Sequence, residues 1–210
     1  MLARIRALAR RTRDRVVIAL LPPRDPWARL AIRPPLHAFG PGARQDFAWY
    51  FQGASEIDVR QVADIIAWLG TCEYTSDADA YQVTDFWQHP RTFELMRRGD
   101  CEDFALWAWR KLVELGVDAQ FVVGYATVGP ESGRRHAWVQ FRDGDTEYLL
   151  EPCQRSAEHA LRPLDDVREA YFPEYGVDAR KQRFAFAGYL AARARSRGSA
   201  PRSQPSSVKA

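Results

Sequence analysis

The chain has 210 residues, of which 46% are apolar and 12% aromatic, so it is long enough to form one domain with a proper core. Its 30 basic and 27 acidic residues give a formal net charge of +3. Such near balance does not suggest a nucleic-acid-binding protein, which usually carries a basic stripe on one face. No apolar run approaches the roughly 18 residues that a membrane-spanning helix needs.

The three cysteines are Cys72, Cys101 and Cys153. An odd and sparse set does not indicate a disulfide framework, and no CxxC or His-rich spacing indicates a zinc site. We therefore expect a reducing compartment and predict a cytoplasmic protein.

The first 21 residues carry a basic segment followed by a short apolar run at positions 16–21. That run is shorter than the roughly 7–15 apolar residues of a secretory signal, and no small-residue cleavage site follows it closely. We predict a short basic helix with a solvated face, and a degraded export signal is the alternative. The arginines of this helix could also contact an anionic membrane surface or a partner.

Two changes in composition divide the chain. Six prolines lie between residues 22 and 42, which predicts an extended and irregular segment. From residue 193 the chain is rich in Ser, Arg and Pro and contains almost nothing to bury, which predicts disorder. The expected organisation is a basic N-terminal arm with a Pro-rich segment at 1–42, a folded domain at 43–192 and a disordered tail at 193–210.

Hydrophobic periodicity predicts the elements of the folded domain. Helices are expected at residues 57–69, at 92–98 with Gly99 as the stop, at 101–115 and at 165–171, and strands at 117–125, 135–142, 145–151 and 183–190. A long polar and aromatic connection, residues 71–90, separates the first two helices. Helices that precede antiparallel strands, with a buried helix between them, predict an α+β fold.

Cys101 opens the most regular of these helices, directly after Asp100, a good N-cap residue. One apolar stripe joins Cys101 to Ala105, Ala108, Leu112 and Leu115. A thiol in the first helical turn lies near exposed N–H groups and the positive end of the helix dipole, which lowers its pKa. The carboxylates of Asp100, Glu102 and Asp103 act in the opposite direction, and only a nearby imidazolium would overcome them.

A predicted hairpin supplies that imidazole. Asp143 and Gly144 separate two alternating strands, and Asp-Gly is a strong signal for a two-residue type I′ loop. That loop would place His136 directly opposite Glu151, whereas a three-residue loop would break this register. A carboxylate in that position can hold one imidazole nitrogen and leave the other facing a nucleophile, which we expect to be Cys101.

Each residue has a simpler explanation when it is taken alone. Cys101 could be a small buried apolar residue, His136 a structural strand residue, and Glu151 a surface acid at a strand end. The joint pattern, a cysteine at a helix start followed by a hairpin that presents histidine opposite a carboxylate, is uncommon by chance. We therefore interpret the three residues as catalytic. Cys153 points to the same face as Glu151 and is interpreted as an ordinary thiol.

The segments GDCEDFALWAWRKLVELG, RRHAWVQF and YLLEP resemble the transglutaminase-like cysteine peptidases of bacteria, papain-fold relatives with Cys, His and Asp in that chain order. The resemblance covers roughly residues 57–155 and includes DFWQHP upstream. It implies a transglutaminase-like core, with the nucleophile helix packed on an antiparallel sheet. It also implies that Cys101 is the nucleophile, that His136 is the base and then the acid, and that Glu151 orients the imidazole. Glu151 departs from the usual Asp, which makes its geometry less certain.

The resemblance also suggests a metal. Some periplasmic members of this class bind calcium through the acids that flank the cysteine, which here are Asp100, Glu102 and Asp103. Helix capping explains the same acids more simply. The predicted chemistry requires no cofactor, and calcium is the metal to test.

Catalysis by a thiol also needs an oxyanion hole. The backbone N–H of Cys101 is the expected first donor. The second could come from Trp87 or Gln88, since thiol enzymes of this class draw a side chain from upstream of the nucleophile. An ordinary core aromatic is the alternative for Trp87.

The leading hypothesis is a thiol-dependent amide hydrolase, a cysteine peptidase that acts on a protein or peptide through an acyl-enzyme. A transamidase, in which an amine accepts the acyl group, is one alternative. A catalytically idle binding module on the same fold is another, because a fold does not guarantee an activity. The complete set of three residues argues against the idle module.

Overall fold

The computed structural model describes residues 25–30, 32–128 and 133–188. Helices lie at Val62–Leu69 (α1), Asp77–Tyr81 (α2), Pro90–Met96 (α3), Cys101–Glu114 (α4), Ala157–Ala160 (α5) and Leu164–Val167 (α6), with a 3-10 helix at Phe47–Phe51. Strands lie at Arg29–Leu30 (β1), Glu73–Tyr74 (β2), Arg98–Gly99 (β3), Ala119–Ala126 (β4), Arg135–Asp143 (β5), Thr146–Leu150 (β6), Leu161–Pro163 (β7), Tyr171–Val177 (β8) and Arg183–Phe186 (β9). None of the helices in these ranges has the length and apolar character that crossing a membrane requires.

Most of the strands form one sheet, in the order β1-β9-β8-β4-β5-β6-β7. Every neighbouring pair in it is antiparallel, while β2 and β3 form a separate short parallel pair. Helix α4 packs against β4 and β5 in the middle of the sheet. This arrangement confirms the predicted α+β fold, with the Cys101 helix on an antiparallel sheet.

Helix α4 forms because its sequence supplies both ends and an apolar body. Asp100 and Asp103 make a reciprocal capping box, in which Asp100 N donates to Asp103 Oδ2 at 3.3 Å. Gly116 follows the helix with φ of +80°, a conformation that glycine adopts without strain. Trp107 and Trp109 are fully buried between these ends. The helix is therefore buried on more sides than the single predicted stripe indicates.

Apolar side chains cover both faces of the sheet. On β5, Ala137 and Val139 belong to the cluster beneath α4, whereas Trp138 points to the other face. The cluster on that second face also contains Trp27, Val122, Ala126, Leu149, Leu164, Val167, Tyr171 and Phe186. His136 lies near the start of β5, and its ring centroid is 6.2 Å from that of Trp138.

The packed part of the chain begins before the boundary predicted at residue 42. Strand β1 pairs with β9 at the edge of the sheet, and Trp27, Leu30 and Phe39 are buried. A proline-rich segment can still pair at a sheet edge and insert apolar side chains, so extended chain does not imply a separate arm. The predicted basic helix, within residues 1–24, and the predicted tail at 193–210 lie outside the described residues.

The predicted helix boundaries shift at element ends. The first helix begins at Val62 instead of residue 57, because Gln61 and Asp64 form a capping box there. The next one, α3, begins at Pro90 and ends before Arg97, which takes a left-handed conformation with φ of +51°. The predicted last strand is shorter, since β9 ends at Phe186.

The region after residue 163 differs most from the prediction. The helix expected at 165–171 is a single turn, α6, and Tyr171 instead opens strand β8, which periodicity did not reveal. Pro173 argues against a strand in the sequence, because proline has no N–H to donate within a sheet. The sheet accommodates it where the pairing with β4 shifts register between Val123 and Gly124.

The loop of the β5–β6 hairpin also differs from the predicted one. Asp143 pairs with Thr146, so the two loop residues are Gly144 and Asp145. The φ angle of Gly144 is +56°, whereas that of Asp145 is not positive. This is the pattern of a type II′ turn, with glycine first, and the predicted type I′ turn is wrong because it requires positive φ at both residues.

The register consequently places Glu151 diagonally across from His136. Val139 pairs with Leu150, so the next position, Glu151, lies across from Trp138. The predicted direct opposition of His136 and Glu151 is therefore wrong. Because side chains alternate with a period of two, the two-residue shift still leaves both on one face, where diagonal neighbours are within reach of long side chains.

Candidate active site

Cys101 and His136 line the same cavity, which has a volume of about 230 Å³. Cys101 is the first residue of α4 and is half-buried, and its Sγ lies 3.3 Å from Glu102 Oε2. Trp87 forms part of the wall. The remaining lining residues are Phe39, Gly40, Pro41, Thr84, Asp85, Val123, Arg135 and Ala137. The structure thus brings the predicted thiol and imidazole to one cavity from two different elements.

His136 and Glu151 form a buried hydrogen bond. Nε2 of His136 lies 2.7 Å from Oε2 of Glu151, and both side chains are buried. An ionised carboxylate can only accept, so Nε2 carries the hydrogen of this bond. The bond fixes the orientation of the ring, and Nδ1 is then the nitrogen that can exchange a proton with a reacting group.

Two further groups hold Glu151. The hydroxyl of Tyr171 donates to the same Oε2 atom at 3.1 Å, and the backbone N–H of Cys153 donates to Oε1 at 3.3 Å. Burial and the charge of Glu151 raise the pKa of Tyr171 well above its usual value, so its hydroxyl remains a donor. The sequence did not suggest Tyr171 as a site residue, because it lies 20 residues beyond Glu151. It is also part of strand β8, whose pattern is hidden in the sequence by Pro173.

The surroundings of the thiol oppose its ionisation. Burial raises the pKa of Cys101 well above its usual range, and the nearby charges of Glu102, Cys153 and Asp100 raise it further. Burial and the neighbouring acids therefore act in the same direction on this thiol, against the lowering expected from the helix N-terminus. These surroundings favour the neutral thiol over the thiolate.

A cluster of five carboxylates lies beside Cys101. The flanking acids are joined by Asp77, in α2, and by Asp85, which precedes Trp87. Three overlapping groups have ligand atoms within 4.8 Å of one another: Asp100, Cys101 and Glu102; Asp77, Asp100 and Asp103; and Asp77, Asp85 and Glu102. The sequence did not suggest Asp77 and Asp85 as metal ligands, because the connection at 71–90 has no periodicity or ligand spacing that would select them.

These acids raise one another's pKa. Burial, with Asp100 and Asp85 nearby, raises the pKa of Asp77 to about 6. Burial, a hydrogen bond with Asp100 and that residue's charge raise the pKa of Glu102 well above its usual value. Oδ1 of Asp77 is buried with no hydrogen-bond partner among the described residues, whereas Oδ2 accepts from Phe86 N at 2.6 Å. A buried carboxylate oxygen of this kind suits a cation ligand.

Asp103 has a structural role of its own. Besides closing the capping box, it accepts from Gln88 N at 2.7 Å and from Gln88 Nε2 at 2.5 Å. Gly99 permits this close approach, since a Cβ at residue 99 would lie 2.3 Å from Asp103 Oδ2 and 2.6 Å from Gln88 Nε2. Helix capping therefore accounts for Asp103, whereas Glu102 faces the thiol.

The two side chains expected at the oxyanion hole differ in position. Trp87 lines the cavity, although its Nε1 donates to Asp85 Oδ1 at 3.0 Å. Gln88 is not part of the wall, and its Nε2 donates to Asp103 Oδ2 and to the carbonyl of Arg98 at 2.9 Å. Both amide hydrogens of Gln88 are thereby used, so Gln88 is not placed to stabilise an oxyanion.

Comparison with known families shows to which family the chain belongs. A family model described as bacterial transglutaminase-like cysteine proteinase matches residues 54–160, just over half of the chain. The chain belongs to this family. It is accordingly a thiol-dependent peptidase with a protein substrate, and neither a transamidase nor an idle binding module is favoured.

The family match is accompanied by likeness to solved structures of LapG from Legionella pneumophila. One of them is 19% identical, with a TM-score of 0.48, and the match covers 72% of this chain and 83% of that one. A calcium-bound LapG structure is 18% identical, with a TM-score of 0.48 and coverage of 71% and 87%. No curated protein matches the chain.

Proposed function

We propose that this peptidase cleaves amide bonds with Cys101 as the nucleophile, His136 as general base and then acid, and Glu151 as the residue that orients the imidazole. The observation that carries the proposal is the buried 2.7 Å bond from His136 to Glu151, made by a histidine that shares a cavity with Cys101. A nucleophile, a base and a third group that orients the base form the pattern of covalent catalysis.

The proposed reaction begins from a neutral thiol. As Sγ of Cys101 attacks the substrate carbonyl carbon, Nδ1 of His136 takes the thiol proton. The resulting imidazolium is stabilised by Glu151 and returns the proton to the amine nitrogen when the carbon–nitrogen bond breaks. A thioester on Cys101 remains, and water, deprotonated by His136, attacks it to release the acid and restore the thiol.

For the oxyanion we propose the backbone N–H of Cys101, at the start of α4, as the first donor. Trp87 is retained as the neighbouring side-chain candidate because it lines the cavity. Its indole N–H would have to leave Asp85 in order to donate to the substrate. Mutation to Phe keeps the wall and removes this donor, so a loss in kcat with little change in KM would support the assignment.

We further propose that calcium binds among the acids beside the thiol. Asp77 would be the central ligand, because it belongs to two of the acid groups, one with Asp100 and Asp103 and one with Asp85 and Glu102. Its buried Oδ1 fits an oxygen-ligated cation. A calcium-bound structure of LapG supports this choice of metal. Bound calcium would offset the negative charge next to Cys101 and so make it easier for the thiol to lose its proton to His136. The cytoplasmic location stays a prediction from the sequence.

Titration with calcium, followed by thermal unfolding, tests the metal site separately from activity. Calcium should raise the melting temperature of the EGTA-treated protein, and magnesium should do so less, since it dehydrates reluctantly. Asp77→Asn should abolish most of the calcium-dependent rise. An unchanged melting temperature at millimolar calcium would contradict the proposed calcium site.

Labelling with a thiol-directed acylating probe tests the catalytic assignment. The native protein should form a covalent adduct that Cys101→Ala does not form. His136→Ala should form it far more slowly, because it removes the base that takes the thiol proton. Equal adduct formation by native protein and Cys101→Ala would show that the nucleophile lies elsewhere.

A further inference from the structure

A second cavity, of about 390 Å³, lies beside the catalytic one. We call it the side groove. Its apolar walls include Pro35, Leu36, Tyr125 and Tyr175, and its two charged side chains are Arg135 and Glu174. This volume is within the range of small-ligand pockets in proteins.

The side groove and the catalytic cavity share two structural elements. Arg135, the residue before His136, lines both cavities. A single stretch of chain also borders both, because residues 35–38 line the side groove and residues 39–41 line the catalytic cavity. The two cavities are therefore adjacent, and residues 35–41 form one continuous wall that borders both.

The charges in the side groove are already compensated. The guanidinium of Arg135 donates to the carbonyl of Ala38 and lies 3.5 Å from Glu174 Oε2. This pairing ties the wall segment to the sheet and leaves no strong demand for a charged ligand. Apart from His37, the remaining lining is aliphatic and aromatic, so an apolar group is the ligand that the groove fits best.

Exposed apolar residues mark the same place. Leu36 is 69% exposed and Tyr125 is 39% exposed, although both are large apolar side chains. Val83 and Phe86 are also exposed, and they flank Thr84 and Asp85 of the catalytic cavity. Single exposed apolar residues are ordinary, but a group of them along a cleft indicates a surface that is covered when a partner binds.

We propose that the side groove is a substrate subsite, which takes a large aliphatic or aromatic side chain of an extended polypeptide whose scissile bond lies at Cys101. The proposal rests on the proposed peptidase function and adds a substrate class to it. Leu36 and Tyr125 determine this preference, because they are the exposed apolar side chains that the substrate covers.

Selection from a random peptide library tests the subsite without requiring turnover. The bait is the Cys101→Ala protein, alone and with Leu36→Ser or Tyr125→Thr added. Leu95→Ser is the matched control, because Leu95 is 74% exposed and lines neither cavity. The selected peptides are then digested with native protein to locate the cleaved bond.

The expected result is a shared large apolar residue at one fixed position relative to the cleaved bond. Leu36→Ser should remove this preference, and in the active protein it should lower kcat/KM for the best peptide about tenfold, while a peptide with alanine at that position is cleaved equally well. Leu95→Ser should select the same peptides as the parent. Peptides with no common apolar position, or the same preference after Leu36→Ser, would overturn the subsite. Selected peptides that native protein fails to cleave would contradict the catalytic proposal and leave the subsite standing.

Discussion

Glu151 accepts a hydrogen bond from His136 at 2.7 Å although the two residues are diagonal neighbours in the hairpin and not a directly opposed pair. The extra methylene that distinguishes glutamate from the aspartate usual in the family gives the carboxylate reach. The backbone N–H of Cys153 and the hydroxyl of Tyr171 then hold the carboxylate in place. Glu151 is thus held by two donors besides His136.

Glu151→Gln should lower kcat/KM by about 10–10³-fold, less than the loss of about 10⁴-fold for the equivalent change in a serine triad. The amide keeps the size of the side chain but removes the charge that stabilises the imidazolium. Glu151→Asp should retain more activity than Gln, because it keeps that charge. Steady-state kinetics with a cleavable peptide measures both variants. A Gln variant as active as the native protein would show that Glu151 has no catalytic role.

Tyr171→Phe should lower kcat by about 3–10-fold with little change in KM, because it removes one donor to the carboxylate that orients His136. Tyr148→Phe is the control, since Tyr148 lies on β6 and stacks on Phe141 with ring centroids 5.5 Å apart. If Tyr171 acts through Glu151, its effect should largely vanish in the Glu151→Gln background. Fully additive losses would show that the hydroxyl has only a structural role.

In the metal-free protein, protonation of Asp77 should contribute stability as pH falls from 7 towards 5. The pKa of Asp77 is about 6 in the folded state against 3.8 ordinarily, so the folded state binds the proton more tightly. The stabilisation from a protonated Asp77 is fully present below its unfolded pKa of 3.8 and is lost as pH rises through about 6. Asp100 and Asp85 lie near it and contribute to the raised pKa. Asp77→Asn should flatten this profile in thermal unfolding with EGTA, and an equally steep profile in the variant would contradict this assignment.

Gly99→Ala should destabilise the fold by about 1–3 kcal/mol, since a Cβ there would meet Asp103 Oδ2 at 2.3 Å and force the helix cap to shift. Gly70→Ala is the matched control, because its Cβ would meet its nearest atom, the carbonyl oxygen of Ala67, at 3.3 Å. Denaturant unfolding of the two variants compares them. Equal stability would mean that the cap relaxes freely around the added methyl group.

Local sequence rules predicted the parts of the site that lie in regular elements. Helix capping placed Cys101 at the start of α4, and strand alternation placed His136 and Glu151 on one face. The error in the position of the loop did not matter, because a register shift of two residues preserves the face. A shift of one would have separated the two side chains.

The residues that the sequence did not reveal come from places without local periodicity. Asp77 and Asp85 lie in the polar connection before α3, and only tertiary packing brings them to the thiol. Tyr171 begins a strand whose pairing with β4 is set by long-range contacts and is obscured by Pro173. Phe39, in the wall of the catalytic cavity, was likewise assigned to the N-terminal arm. Prolines indicate an extended chain but not whether that chain packs against the domain.

The site of covalent modification tests the central claim most directly. A peptide-like acylating probe should be found on Cys101 by mass mapping, in native protein and not in Cys101→Ala, and His136→Ala should slow its addition strongly. Cys72 should remain unmodified, because it is buried and burial raises its pKa to about 11. Equal modification of Cys72, Cys101 and Cys153, or a rate on Cys101 unaffected by His136→Ala, would contradict the account.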